Sequence, residues 1–484
     1  VLETMTLELD RAGFTYRGAS FAALTEIDLS LAPGQMHAIL GASQAGTSTL
    51  GRLITGLLDE SGTSAGTVHV AGTAVMLGDD PEAQLSGMTS RVGDEVQLPG
   101  RLHGHESRLA EHRARKALAS LGIAELWDRR LETLSGGQRQ LVALSGLLSL
   151  RPSLLILDQP SLSLDPDTRR LVATVLLEFC STGGSVLTTG HQFDEVAAAS
   201  HRLSILASGR LHPRGTDVSS TDWQRHGIWD TRPREPFAPA STETNSPTIA
   251  VPSPTTPSAL AVRDLTVSRG SITVIDGIDL DVGAGELVTI MGSNGAGKST
   301  LLRSLVGLLD TRTQTPNTIT VDDCGGRLDL GGTPAHRRAP HLGWVGQDPG
   351  SQLFAATVRE ELTRAAPLPQ HRRRDRAKVR AQRQEAVASA MVETGLSAVS
   401  ETHPYDLSID RRKDLVLASA LIPGPQIIVL DEPTLGRDHT AIRRLNMFID
   451  GFLGRGGAIL TTTHDWRWAT EKSDRILRLC GGRL

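Results

Sequence analysis

Cysteine is nearly absent from this chain. The three present (Cys180, Cys324, Cys480) lie far apart, without the paired spacing of a zinc site or a disulfide framework. Such sparing use fits a reducing cytosol. Aromatic residues make up only 3%, which leaves few platforms for stacked bases. The net charge of −4 offers no bulk attraction to a polyanion, so no nucleic-acid partner is expected. No run of about 20 apolar residues occurs, so no direct bilayer span is expected. Any membrane role would then act through a partner. Residues 1–10 are acidic and lack the basic-then-apolar pattern of a signal peptide. Lysine is scarce as well: only Lys116, Lys298, Lys378, Lys413 and Lys472 occur.

One of those lysines stands in a telling place. Leu287-Val288-Thr289-Ile290-Met291 reads as a buried strand, and Leu301, Leu302, Leu305, Val306 and Leu308 recur at helical spacing. Between them runs Gly292-Ser293-Asn294-Gly295-Ala296-Gly297-Lys298-Ser299-Thr300. A strand, a G-x-x-x-x-G-K-[ST] loop and a helix form a phosphate-binding loop. Its glycines let backbone N–H groups turn around an anion, and the helix N-terminus adds partial positive charge. Lys298 would supply a full charge to the β- and γ-phosphates, and Ser299 could hold Mg²⁺.

At 484 residues the chain exceeds one core, and it repeats itself. Leu154-Leu155-Ile156-Leu157-Asp158 returns as Ile427-Ile428-Val429-Leu430-Asp431 at an offset of 273. Thr188-Thr189-Gly190-His191 returns as Thr462-Thr463-His464 at the same offset. Gly41-Ala42-Ser43-Gln44-Ala45-Gly46-Thr47-Ser48-Thr49 precedes the Gly292 loop by 251, so insertions separate loop from acid in the second copy. Alternating buried strands and helices predict α/β domains with mainly parallel sheets. A Pro/Ser/Thr-rich stretch between the copies reads as an extended linker. The expected domains are 1–228 and 259–484, joined by a linker over 229–258. The run His371-Arg372-Arg373-Arg374-Asp375-Arg376-Ala377-Lys378-Val379-Arg380 reads first as a solvated helix face, with anionic lipid or an acidic partner as the alternative.

Further motifs follow in a fixed order. After the first loop come Leu134-Ser135-Gly136-Gly137-Gln138, the strand ending at Asp158, Gln159-Pro160, Ser163-Leu164-Asp165 and His191. This order, centred on LSGGQ, resembles the nucleotide-binding domains of ABC (ATP-binding cassette) proteins, over both halves of the chain. The resemblance implies two tandem P-loop NTPase domains, each with a mainly parallel sheet core, an antiparallel β part and a helical subdomain. It also implies head-to-tail pairing of the two domains, with each ATP taken between one loop and the other domain's signature.

The two implied sites differ. The second copy's loop is intact, and Gln347 in Val345-Gly346-Gln347-Asp348-Pro349 matches the Q-loop. Asp431 matches the acid that holds Mg²⁺ with Ser299 and Gln347. Glu432 matches the carboxylate acting on the attacking water, and His464 the switch histidine. Ser135, Gly136, Gly137 and Gln138 would face this ATP. In the first copy Thr47 replaces the lysine, Asp79 stands near the Q-loop position, and Gln159 replaces the glutamate. Gly41, Gly46, Ser48, Thr49, Asp158 and His191 remain. The facing signature, Leu407-Ser408-Ile409-Asp410-Arg411, has a bulky Ile409 and an acidic Asp410 expected to bring negative charge near phosphate. This degenerate site is expected not to hydrolyse ATP. Tyr16 matches the aromatic that stacks on adenine, with Val267 or a neighbour in its place in the second copy.

The stretches Asp79-Asp80-Pro81-Glu82-Ala83-Gln84-Leu85 and Gln347-Asp348-Pro349-Gly350-Ser351-Gln352-Leu353-Phe354 resemble a segment of energy-coupling factor (ECF) ATPases. These drive uptake of vitamins and of cobalt or nickel through a membrane scaffold and a substrate-binding subunit. The resemblance implies an ATP-hydrolysing translocase subunit, cytoplasmic and peripheral on the inner membrane face. Two other readings stand beside it. A tandem sugar-importer ATPase usually carries its damage in the second loop. A soluble ABC protein acting on ribosomes or nucleic acid usually keeps both sites active.

Overall fold

The structure is a computed structural model that describes residues 5–80, 84–214, 220–232, 258–270, 272–309, 319–323, 326–369 and 372–484. Most of the expected linker, residues 81–83 of the first Asp-Pro segment, Cys324 and His371 lie outside the described residues. The chain forms two compact units, one of the described residues up to Arg232 together with Arg437–His439, and one built from residues 258–436 and 440–484. Residues 229–232, which the sequence reading gives to the linker, belong to the first unit. There Trp229–Asp230 pairs in parallel with Gln192–Phe193, and the Trp229 side chain is buried. Two residues are too few to show a strand period.

Each unit is an α/β domain. In the first, the main sheet runs Ala74–Leu77, Leu154–Asp158, Ser185–Gly190, Met36–Leu40, Arg202–Ala207 and Arg210–Arg214. Only the last strand is antiparallel. In the second, the order is Leu342–Val345, Ile427–Asp431, Ala458–Thr462, Leu287–Met291 and Arg475–Arg478, all parallel. Leu154–Asp158 and Ile427–Asp431 read as unbroken apolar runs because central parallel strands are covered on both faces; every residue in them is buried. Parallel strands place their carboxyl ends at one edge, where loops collect ligands.

A smaller antiparallel sheet completes each unit. The first joins Leu24–Leu31, Leu7–Tyr16 and Gly62–Val70; the second joins Ile272–Gly283, Ser258–Arg269, Ile319–Asp323 and Gly326–Asp329. Leu24–Leu31 alternates buried with exposed positions, as expected of a sheet with one wet face. A helical part packs Val92–Leu102 and Ser107–Ser120 on Gly136–Leu150, and in the second unit Val358–Ala365 and Arg376–Glu393 on Ile409–Leu421. The basic run enters this last part on Arg376–Glu393, where Arg376, Lys378 and Arg380 are exposed.

Even unusual backbone conformations recur. Arg151, Ser163 and Ser208 have φ of 54°, 65° and 49°; Gly424, Gly436 and Gly481, at the 273 offset, have 76°, 69° and 56°. Side chains avoid this region, at about 1–3 kcal/mol, unless the surroundings enforce it. The repeat is thus one of backbone path, which the second copy follows with glycine.

Candidate functional site

In the second unit, Leu287–Met291 feeds the loop into the helix Lys298–Leu305, which stops short of Leu308. Gly297 takes φ 102°, and a Cβ at Gly292 would sit 2.5 Å from the Leu479 carbonyl oxygen. These are positions only glycine fills without strain. The Lys298 Nζ donates to the carbonyls of Gly292 (2.7 Å) and Ser293 (3.2 Å). It also lies 3.2 Å from His464 Nε2. An ammonium has no lone pair and can only donate, so in this contact Nε2 is the acceptor.

The acid strand ends beside this loop. Asp431 Oδ1 accepts from Thr462 Oγ1 (2.8 Å) and Ser299 Oγ (3.2 Å). Its Oδ2 is buried and meets no hydrogen-bond donor among the described residues. Burial, then the neighbouring Glu432 charge, pushes the Asp431 carboxyl above its ordinary pKa. A buried carboxylate with an open oxygen next to a hydroxyl fits a hard divalent cation, which would relieve both. Glu432 follows with φ 51°. Its Oε2 accepts from the His464 backbone N–H at 3.1 Å, and its Oε1 stands 3.4 Å from His464 Nε2. Gln347 leaves the strand Leu342–Val345 half-buried. The neighbouring Gly346 N–H donates to Gln352 Oε1 at 2.7 Å, so the motif glutamine braces the loop. Phe354, two residues on, is 75% exposed. Loop lysine, acid, carboxylate and histidine thus meet at one edge of the sheet.

The first unit repeats this frame with different side chains at three of its positions, Thr47, Asp79 and Gln159. Asp158 Oδ1 accepts from Thr189 Oγ1 at 2.8 Å, as Asp431 does from Thr462. Burial raises the Asp158 pKa to about 6; the Ser48 and Thr189 hydroxyls oppose this, and the Asp79 charge adds to it. Asp79 therefore stands within electrostatic reach of Asp158, at the Q-loop position. Thr47 opens the helix Thr47–Ile54, with Gly46 before it at φ 102°, the value of Gly297. Gln159 takes φ 53°. His191 is buried just beyond the strand Ser185–Gly190.

The two signatures also differ. Ser135 caps the helix Gly136–Leu150 in a reciprocal box: its Oγ accepts from Gln138 N–H, and Gln138 Oε1 accepts from Ser135 N–H. Open space surrounds the Cβ position of Gly136, so an anion could approach the backbone. In the second unit Ser408 Oγ instead donates to Asp410 Oδ1. Arg444 then pairs with Asp410 at 2.6 Å and with Asp414 at 3.0 Å. This corrects the expectation for Asp410: its charge is turned into the unit and neutralised by Arg444.

A second correction concerns adenine. The Tyr16 hydroxyl meets Thr49 Oγ1 at 3.1 Å, beside the first loop. Strand register pairs Ala12 with Ile27 and Phe14 with Leu24; in the second unit it pairs Leu265 with Ile278 and Val267 with Ile275. Val267 is therefore the counterpart of Phe14 and lies in the core, 4% exposed. The counterpart of Tyr16 is Arg269, which is exposed. Sequence reasoning missed it because the second hairpin is shorter by two residues. It also missed Lys413, buried at 3% exposure and donating to the carbonyls of Glu432 (3.1 Å) and Leu435 (2.8 Å).

Fold and loop define a pair of P-loop nucleotide-binding domains in one chain. The ABC transporter family model matches residues 24–162 and 275–435. A protein of Streptomyces avermitilis, described as an ABC transporter ATP-binding protein, is 30% identical over 99% of this chain and 93% of its own length. One of Methanosarcina acetivorans with the same description is 27% identical over 99% and 89%. An archaeal ribosome recycling factor, solved with the ribosomal stalk protein aP1, superimposes at a TM-score of 0.57. That match covers 94% of this chain and 85% of the factor, and at 16% identity it speaks to the fold alone. The chain belongs to the ABC transporter family, as an ATP-binding protein with two ABC domains in tandem. ATP hydrolysis is the activity this family implies. No helix among the described residues is long and apolar enough to cross a membrane.

Proposed function

We propose that this chain hydrolyses ATP in its second unit to energise a membrane importer of the energy-coupling factor type, taking up a vitamin or a transition-metal ion. The observation that carries the ECF assignment is the Asp-Pro-x-x-Gln-Leu-Phe segment: Gln352 braces the Q-loop while Phe354 stands 75% exposed beside it. A docked membrane scaffold subunit would press on Phe354 and reach Gln347 through this segment. Lys298 neutralises the phosphates of bound ATP. Glu432 positions the attacking water and accepts its proton, and His464 moves with it through the 3.1 Å amide contact. Ser299, Asp431 and Gln347 would hold Mg²⁺, which when bound would supply charge neutralisation at the phosphates. The first unit's own loop, with Thr47 in place of the lysine and Gln159 in place of the glutamate, is a non-hydrolytic site. Arg269 offers a planar cation to adenine where the first unit offers Tyr16.

The test is co-purification from membranes of the native host. Integral subunits bound to the wild type, and lost with Phe354→Asp, are expected. Retention of ribosomal RNA instead of membrane subunits would overturn the reading.

A further inference from the structure

The turn that carries Glu432 is tied to a helix by a buried cation. The Glu432 carbonyl accepts from the Leu435 N–H at 3.3 Å, closing residues 432–435. The same carbonyl accepts from Lys413 Nζ at 3.1 Å, and that ammonium also reaches the Leu435 carbonyl at 2.8 Å. Lys413 comes from the helix Ile409–Leu421. The first unit has the same tie in neutral form: Gln140 Nε2 donates to the Gln159 carbonyl at 3.1 Å, and Leu162 N–H donates to it at 3.1 Å. Lys413 and Gln140 each stand five residues after their signature serine.

Burying an ammonium is costly unless it is well paired, and an amide serves in the unit that has no carboxylate to place. The lysine appears where Glu432 must be held, and it grips two carbonyls where the glutamine grips one. Glu432 needs that grip, because its left-handed φ of 51° is strained and would relax if the turn opened. We infer that Lys413 is a positioning residue for hydrolysis: its ammonium clamps residues 432–435 and so fixes the Glu432 carboxylate against the His464 amide. The inference rests on hydrolysis at Glu432. The clamp makes the helix Ile409–Leu421 and the carboxylate one mechanical piece within the second unit.

The test uses the full chain, with ATP turnover and amide hydrogen exchange as separate readouts. Lys413→Met is expected to lower kcat about tenfold or more, the usual result of a misplaced catalytic group. The KM for ATP should stay within about twofold, since binding groups are untouched. Exchange across residues 432–436 should rise. Lys413→Gln, the first unit's solution, should restore slow exchange and most of kcat. Should Lys413→Met fail to fold, Lys413→Ser, which leaves room for water, gives the same comparison. Wild-type kcat and exchange in a folded Met or Ser variant would overturn the clamp, as would a Gln variant no better than Met. A change in KM alone would also overturn it. If the wild type itself shows no turnover, the proposed function fails, while the exchange measurements still decide whether Lys413 clamps the turn.

Discussion

Gln159 and Glu432 hold the same left-handed backbone conformation, φ 53° and 51°, each just past the end of an all-buried strand. One carries an amide and the other a carboxylate, so at this repeated backbone position only Glu432 can accept a proton. Glu432→Gln should lower ATP turnover about 10²-fold or more, the usual worth of a general base. Binding of ATP should persist. A turnover assay beside equilibrium nucleotide binding checks both; more than half the wild-type rate would refute the assignment.

The reverse change should do little. Gln159→Glu restores the carboxylate in the first unit, but Thr47 still lacks the loop charge and Asp79 still adds negative charge near Asp158. Steady-state turnover is expected to match the wild type. A doubled rate would mean that the first unit needs only a base.

Ser135 and Ser408 should respond differently to the same change. Ser135 caps its helix below an open glycine, whereas Ser408 is spent on Asp410. Ser135→Arg should abolish most ATP turnover, and Ser408→Arg should leave most of it. Equal losses in the turnover assay would contradict the functional asymmetry.

Arg269 makes a testable adenine platform. Arg269→Ala should weaken ATP binding several-fold, given about 0.5–2 kcal/mol for a cation on a ring face. Arg269→Tyr should restore it, as Tyr16 would at the other loop. Titration calorimetry with Gln159→Glu as a folded control measures the difference.

His37 predicts a pH dependence. It is buried in Met36–Leu40 with Nε2 2.9 Å from Ser204 Oγ. Burial, with Arg202 adding, lowers its pKa from 6.5 to about 4. The unfolded chain takes up a proton near pH 6.5 that the folded chain refuses until about pH 4. Stability is therefore present above 6.5 and is lost as pH falls through that window, by about 3 kcal/mol. Urea denaturation of the wild type against His37→Gln at pH 7 and pH 4 should show the wild type losing more.

Much of this site was legible in the residues. Gly292, Gly297, Lys298, Asp431 and Glu432 are dictated by the chemistry of phosphate and water, so their types survive in any reading of the chain. Central strands announce themselves because burial on both faces allows nothing but apolar side chains. What the sequence hid was pairing. Arg444 meets Asp410 across 34 residues of chain, so the acid read as a free charge. Arg269 was obscured by hairpin register, which a linear offset cannot follow. Lys413 lies two residues past the end of a decayed signature; its position five residues past Ser408, like Gln140 past Ser135, was the available clue.

The Arg444 pairings with Asp410 and Asp414 have an evolutionary consequence. A single Asp410→Gly change, the step back toward LSGGQ, would leave a largely buried guanidinium short of one of its two carboxylates. Asp414 alone would then hold Arg444 at 3.0 Å, so the change at Asp410 is felt on a second helix, His439–Gly454.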